Sequence, residues 1–268
     1  MPFITHAGNR LFYTLEGPAS APVLIFSNSL GTDHTMWAPQ AEALGQQFRI
    51  LRYDTRGHGQ SALPPGPSSV AELGSDVIAL MDALQIQKAA FCGLSMGGLT
   101  GMWLGVNAPQ RFTRIVLANT APKIGTPEAW NTRIEGVLRD GMTPLVEGSL
   151  QRWFTPAFVS AAGNQLDDLR QVLTGLDARG YAANCAAVRD ADLREAVKTI
   201  PVPVLVIAGS ADPSTTAAEG RALADAIPGA ERTSLAAGHI GMVASGRARA
   251  MLFKPLSLWL RKTLMDTK

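Results

Sequence analysis

Short apolar runs alternate with helical patterns along the first part of the chain, and this alternation restricts the folds available to it. Val23–Phe26, Ala89–Cys92 and residues 114–118 are largely apolar, as expected of strands that are buried on both faces. Residues 70–84 carry apolar side chains at helical spacing after Ser69, which is a suitable N-cap. Alternating strands and helices predict an α/β fold, with a mostly parallel sheet and helices on both of its faces.

The strand pattern is interrupted once, in the second half of the chain. Residues 122–199 are helical in pattern, with Gly and Pro breaks, and a strand pattern returns at residues 202–208. We therefore predict a core formed by residues 1–121 and 200–268, with a helical cap inserted at residues 122–199. A chain of 268 residues can bury roughly three quarters of its unfolded surface in such a core.

Composition excludes several classes of protein. Lys and Arg number 24 against 22 Asp and Glu, and the charges are interspersed, which argues against a nucleic-acid partner. The four histidines lack metal-ligand spacing, so we predict no metal and no other cofactor. The N-terminus lacks a signal-peptide pattern and no apolar stretch has the length of a membrane span. With only two cysteines, neither in a CxxC motif, we predict a cytoplasmic protein without membrane association.

Residues 93–97 read Gly-Leu-Ser-Met-Gly, which is the G-x-S-x-G pattern of a nucleophile elbow. The pattern follows the predicted strand Ala89–Cys92 and precedes a helical pattern at residues 99–106, which is the context that the motif requires. Its serine would occupy a strained turn, where flanking glycines avoid steric clashes. A purely structural glycine turn is the alternative, but this context favours Ser95 as a nucleophile.

A serine nucleophile needs a base, and the base needs a carboxylate that orients it. In folds with this elbow the chain order is Ser, acid, His, and His239 is the one histidine after Ser95. Asp212 comes just after the strand pattern of residues 202–208. We therefore predict a triad of Ser95, Asp212 and His239. Three other aspartates fall in predicted cap or outer-helix segments and are poorer candidates for the acid: Asp190, Asp192 and Asp225.

Acyl transfer at a serine also needs two backbone N–H groups that stabilise the oxyanion. One normally belongs to the residue after the nucleophile, here Met96, and the other to the loop after the first buried strand. We assign Leu30 to the second position, with its neighbour Ser29 as the alternative. His58 precedes the nucleophile in the chain, so we predict that its glycine-rich loop supports the floor of the site.

Aromatic and basic side chains occur together in the predicted cap. Trp130 and Arg133 are three residues apart and share a helix face, and Arg152 precedes Trp153. Aromatic residues are more often core than ligand contacts, but an arginine beside them can bind a substrate carboxylate in a bidentate pair. We predict Trp130, Arg133, Trp153 and Ser29 as substrate-binding residues, with Arg133 ahead of Arg152 as the carboxylate ligand.

These motifs resemble those of the α/β-hydrolase family and, within it, the 3-oxoadipate enol-lactonases. The resemblance rests on Arg-Gly-His-Gly at residues 56–59, on the elbow, and above all on Ser-Asn-Ser-Leu-Gly at residues 27–31. It implies a cofactor-free carboxylic-ester hydrolase of the β-ketoadipate pathway, which degrades aromatic compounds. Such an enzyme opens 3-oxoadipate enol-lactone, a small carboxylated lactone, to 3-oxoadipate through an acyl-enzyme. Whether the chain forms a homo-oligomer stays open.

Two other functions are open at this point. The run Ile-Gly-Met-Val that follows His239 departs from the lactonase pattern and is closer to relatives that act on polyhydroxyalkanoates. This departure favours a broad small-ester carboxylesterase or perhydrolase of the same fold. An alternative of another class is a non-catalytic hydrolase fold that only binds a ligand. Binding alone does not require Ser95, Asp212 and His239 in this order.

Overall fold

The computed structural model describes residues 2–241, 256–257 and 259–260. In this part of the chain an eight-stranded sheet has the order β1-β2-β4-β3-β5-β6-β7-β8. The strands are β1 (Phe3–His6), β2 (Asn9–Glu16), β3 (Val23–Ser27), β4 (Arg49–Tyr53), β5 (Ala89–Leu94), β6 (Phe112–Ala118), β7 (Val204–Gly209) and β8 (Glu231–Leu235). Strands β3 to β8 are parallel to one another, whereas β2 pairs antiparallel with both β1 and β4.

Helices flank this sheet. They are α1 (Ala38–Leu44), α2 (Val70–Ala83), α3 (Met96–Asn107), α4 (Pro127–Asp140), α5 (Val146–Trp153), α6 (Pro156–Ala161), α7 (Asp167–Gly175), α8 (Ala178–Asp190) and α9 (Ala217–Ala226). Helix α3 packs on β5 and β6, α2 packs on α3, and α9 packs on β7. Among the described residues, no helix combines the length and the apolar character that crossing a bilayer requires. The predicted α/β architecture with a mostly parallel sheet is confirmed.

The antiparallel hairpin at the sheet edge is not part of the sequence prediction. Strands β1 and β2 are joined by a turn at Ala7 and Gly8, both of which have positive φ angles of 47° and 77°. Edge strands are partly exposed, so polar and apolar residues are mixed along them. They therefore lack the continuous apolar runs that identify the inner strands of a parallel sheet.

Helices α4 to α8 all lie within the range predicted for the cap, between β6 and β7. Helix α8 contacts the loop after β4 through backbone atoms, because a side chain at Gly180 would overlap the carbonyl oxygen of Gly57. The fully buried Asn184 extends this contact, since its Nδ2 donates to the carbonyl oxygen of Arg56 at 2.7 Å. Helix α8 is thereby attached to the glycine-rich loop of residues 56–59.

Residues near the C-terminus complete the core beside β6 and β8. Leu256, Trp259 and Leu260 are buried. The indole Nε1 of Trp259 donates to Glu231 at 3.1 Å, and the guanidinium carbon of Arg114 lies 5.1 Å from the Trp259 ring centroid. These side chains stabilise the sheet at the end that carries the last two strands.

Candidate active site

Ser95 lies in a strained turn between β5 and α3. Its φ angle of 58° and ψ angle of −112° are rare for a residue with a side chain. A Cβ atom at Gly93 would overlap the Gly97 carbonyl oxygen, and one at Gly97 would overlap that of Ser27. Only glycines fit on both sides of this serine. Helix α3 begins directly at Met96 and includes Gly97 and Gly98, so it starts three residues before the predicted start at residue 99.

Asp212 and His239 form a buried pair at the ends of β7 and β8. The Nδ1 atom of His239 lies 2.7 Å from Oδ2 of Asp212. The other carboxylate oxygen accepts hydrogen bonds from the backbone N–H groups of Ser214 and Thr215, at 2.7 and 3.1 Å. The Thr215 hydroxyl donates to Oδ2 at 2.8 Å. With Nδ1 as the donor to Asp212, a neutral imidazole has Nε2 available as a proton acceptor.

Asn119 links the loops that carry the acid and the base. Its Oδ1 accepts a hydrogen bond from the N–H of Gly209 at 2.6 Å, and its Nδ2 donates to the carbonyl oxygens of Gly238 and His239, at 3.1 and 2.5 Å. Its own backbone has a φ angle of 41°. Sequence reasoning missed this residue, because an asparagine 120 positions before the histidine gives no local signal.

A cavity of about 370 Å³ joins these elements. Ser95 and His239 both line it, without a hydrogen bond between the two side chains; such contacts often tighten only when substrate binds. All four predicted substrate-binding residues line the same cavity: Ser29, Trp130, Arg133 and Trp153. The lining also includes residues outside that prediction: Leu30, Ile124, Gly125, Ala129, Arg152, Tyr181, Pro213 and Ser214.

Leu30 lines this cavity, and Met96 follows Ser95, which also lines it. Neither of their backbone N–H groups has a hydrogen-bond acceptor among the residues that the structure describes. By contrast, the N–H of Ser29 donates to the sulfur of Met36 at 3.4 Å, and the N–H of Gly31 donates to Nε2 of His58 at 3.0 Å. This difference favours Leu30 over Ser29 as the oxyanion donor from this loop.

Two arginines form a cationic wall of the cavity. Within the described part of the chain Arg133 and Arg152 donate to hydroxyl groups, and neither has a carboxylate partner. Arg133 donates to the Tyr181 hydroxyl at 3.4 Å, and its guanidinium carbon lies 5.1 Å from the Trp130 ring centroid. Burial and the neighbouring charge of Arg133 lower the pKa of Arg152 from its ordinary value. Two neighbouring arginines without a carboxylate partner among the described residues have the chemistry to bind a negatively charged group.

A second polar cluster lies away from this cavity and has the residue types of a metal site. Side-chain ligand atoms of Asp33, His34 and Asp54 lie within 4.8 Å of one another. The Asp54 carboxylate already accepts hydrogen bonds from the N–H groups of His34 and Gln60, each at 2.8 Å. His34 Nδ1 also lies 2.8 Å from the same carboxylate. These groups hold the loop together, and we assign no cofactor to them.

His58 is a buried acceptor beneath the site. Its side chain is almost fully buried, its Nε2 accepts from Gly31, and its Nδ1 lies 3.4 Å from Nδ2 of Asn184. Burial lowers the pKa of His58 from an ordinary value of 6.5 to about 4. The imidazole is therefore neutral at physiological pH, as its acceptor role requires.

We expect His58 to make the fold sensitive to acid. Because the unfolded histidine takes up a proton near pH 6.5 and the folded one only near pH 4, its contribution to stability is complete above pH 6.5 and is lost as the pH falls to about 4. The loss amounts to about 3 kcal/mol at most. Urea unfolding at pH 7 and pH 4.5 measures it. The wild-type protein should lose more free energy of unfolding over this interval than His58→Gln.

The matched control for this measurement is His6→Gln on the edge strand β1, which removes a histidine elsewhere. An identical loss of stability in the wild-type protein and in His58→Gln would contradict the assigned role of His58.

Comparison with known proteins agrees with this geometry. A model of the alpha/beta hydrolase fold matches residues 22–243. The chain is 45% identical to 3-oxoadipate enol-lactonase 2 of Acinetobacter baylyi, over 89% of each chain, and 47% identical to 3-oxoadipate enol-lactonase 1 of that organism, over 80% of each. The crystal structure of the enol-lactonase from Burkholderia xenovorans LB400 matches with a TM-score of 0.93 and 44% identity, covering 97% of this chain and 100% of that one. The chain therefore belongs to the α/β-hydrolase fold family, as its motifs predict.

Proposed function

We propose that this enzyme opens the lactone ring of 3-oxoadipate enol-lactone to give 3-oxoadipate, with Ser95, Asp212 and His239 as its catalytic triad. The chain is a carboxylic-ester hydrolase whose near relatives are enol-lactonases. One observation supports the proposal most directly: Ser95 and His239, the latter paired with Asp212, line the same cavity as two arginines without carboxylate partners among the described residues. This arrangement suits an ester that also carries a carboxylate.

The reaction follows from the positions of these groups. The Ser95 hydroxyl oxygen attacks the lactone carbonyl while Nε2 of His239 takes its proton, and Asp212 stabilises the imidazolium through Nδ1. The N–H groups of Leu30 and Met96 donate to the oxyanion of the tetrahedral intermediate. As the ring C–O bond breaks, the proton held by His239 passes to the leaving enol oxygen. The enol end of the resulting acyl-enzyme then tautomerises to the ketone.

Deacylation uses the same groups. His239 takes a proton from water as the water oxygen attacks the acyl carbonyl, and the proton then passes to the Ser95 oxygen as the C–O bond to the enzyme breaks. The product is 3-oxoadipate, and the serine returns to its starting state. The chain's own residues therefore supply each proton transfer, and we propose no cofactor.

The remainder of the substrate is bound by the helical insertion. Trp130 and Arg133 belong to α4, Arg152 and Trp153 to α5, and Tyr181 to α8. We therefore assign residues 122–199 as a cap that forms the binding wall over the core of residues 1–121 and 200–268. A broad small-ester hydrolase has no need of two arginines in its cavity, and this favours the carboxylated lactone.

Location and partners complete the proposal. We place the enzyme in the cytoplasm, and the free, buried thiols of Cys92 and Cys185 support a reducing compartment. Burial raises the pKa of the Cys185 thiol to about 12, so this thiol is unreactive. The partner that we propose is the small-molecule substrate. The near balance of 24 basic and 22 acidic residues provides no electrostatic attraction for nucleic acid.

Ser95→Ala tests the triad. Removing the nucleophile should lower kcat for the lactone by at least about 10³-fold, because covalent catalysis is lost while the cavity stays intact. The decrease of lactone absorbance measures the rate, and Ser160→Ala, on the exposed side of α6, is the matched control. Near wild-type turnover by Ser95→Ala would refute the triad. A wild-type protein that a fluorophosphonate fails to label at Ser95 would support the non-catalytic alternative.

Arg133→Ala tests the carboxylate receptor. A charge-assisted hydrogen bond contributes about 1.5–3 kcal/mol, so kcat/KM for the carboxylated lactone should fall roughly 10- to 150-fold. The same variant should hydrolyse the neutral ester p-nitrophenyl acetate nearly as well as the wild-type enzyme does. Arg179→Ala, which removes an exposed arginine paired with Asp177, is the control in the cap. Equal losses on both substrates would reject the role of Arg133.

A further inference from the structure

The peptide between Ser29 and Leu30 carries the Leu30 N–H, and its carbonyl group is hydrogen-bonded to Thr32. The carbonyl oxygen of Ser29, on the same peptide unit, accepts a hydrogen bond from the backbone N–H of Thr32 at 3.2 Å. The Thr32 hydroxyl lies 2.8 Å from the same carbonyl oxygen and 2.9 Å from the sulfur of Met36, and the oxygen is the stronger acceptor for its proton. The C=O and N–H groups of a trans peptide point in opposite directions. Anchoring the Ser29 carbonyl on Thr32 therefore fixes the direction in which the Leu30 N–H points.

The other backbone N–H groups of this loop donate hydrogen bonds within the protein. The N–H of Ser29 donates to Met36, that of Gly31 to His58, and that of Thr32 back to Ser29. Among residues 29–32 only the Leu30 N–H has no acceptor within the described structure. The Leu30 N–H is therefore available to a ligand in the cavity, while the N–H groups of Ser29, Gly31 and Thr32 are already hydrogen-bonded.

We propose that Thr32 is a positioning residue of the oxyanion hole. Its hydroxyl and N–H orient the peptide between Ser29 and Leu30, so that the Leu30 N–H meets the charge that develops on the substrate carbonyl oxygen. Thr32 is 1% exposed and is not part of the cavity lining, so it acts through Leu30 and not on the substrate. The inference rests on the proposed function, because it requires an oxyanion at Ser95.

A role in the transition state has a kinetic signature that a purely structural role lacks. An oxyanion donor stabilises the tetrahedral intermediate more than the bound substrate, so a misdirected donor lowers kcat and leaves KM nearly unchanged. A hydrogen bond that only stabilises the loop would change the thermal midpoint of unfolding, or KM, without this selective loss. The two roles are therefore separable by experiment.

The variants Thr32→Val and Thr32→Ser isolate the hydroxyl, because valine keeps the shape of threonine and serine keeps its oxygen. With p-nitrophenyl acetate as substrate, Thr32→Val should lose about 10- to 100-fold in kcat, less than the 10²- to 10³-fold loss of a whole donor, since the backbone N–H of Thr32 still holds Ser29. We expect KM to change by less than about twofold, and Thr32→Ser to keep most of the wild-type kcat.

The matched control is Thr35→Val, which removes a hydroxyl from an exposed threonine of the same segment. It should leave kcat unchanged. A boronic acid that forms a tetrahedral adduct with Ser95 gives a second measurement: its affinity for Thr32→Val should weaken by the same factor as kcat. Thermal unfolding shows whether each variant folds. If Thr32→Val does not fold, Thr32→Ala replaces it in both measurements.

An unchanged kcat in Thr32→Val, or a rise in KM alone, would overturn this inference. So would an equal loss in Thr32→Ser, because the threonine methyl group would then be responsible. The neutral ester separates this result from the substrate assignment: an enzyme that cleaves the ester but not the lactone refutes the proposed substrate and leaves Thr32 testable. A wild-type protein that cleaves neither ester refutes the proposed function and this inference together.

Discussion

The strained turn at Ser95 is the constraint on which the rest of the site depends. A parallel sheet brings the carboxyl ends of its strands to one edge, and the candidate catalytic groups follow four of these ends. Leu30 comes after β3, Ser95 after β5, Asp212 after β7 and His239 after β8. The turn places the serine above this edge only because glycines flank it, and those glycines pack against backbone atoms that no side chain could approach.

Hydrogen bonds fix the loops at the carboxyl edge of the sheet relative to one another. Asn119 connects the end of β7 to the histidine loop, and Thr215 donates to the carboxylate oxygen that His239 contacts. Thr32 and His58 hold the peptides on either side of Leu30. Each of these side chains satisfies polar groups of a neighbouring loop, so the groups that face the cavity are positioned by residues that lie outside it.

The sequence predicted those features that have a local signal. Inner strands appear as continuous apolar runs, and the chain order of Ser95, Asp212 and His239 indicates a triad without any coordinates. Asn119 and Tyr181 have no such signal, because their partners are distant in the chain and only the fold brings them together. The edge strands were missed for a different reason, since partial exposure mixes polar and apolar residues along them.

The cationic wall is the feature that distinguishes the proposed lactone substrate from a neutral ester. Arg133 and Arg152 are both close to Tyr181. Burial and the charge of Arg133 lower the pKa of Arg152, and a bound substrate carboxylate would counteract both effects. The direct test is the ratio of kcat/KM values of the wild-type enzyme for freshly prepared 3-oxoadipate enol-lactone and for p-nitrophenyl acetate. We predict a strong preference for the lactone. Turnover of the neutral ester alone would contradict it and would leave a serine esterase whose arginines serve another ligand.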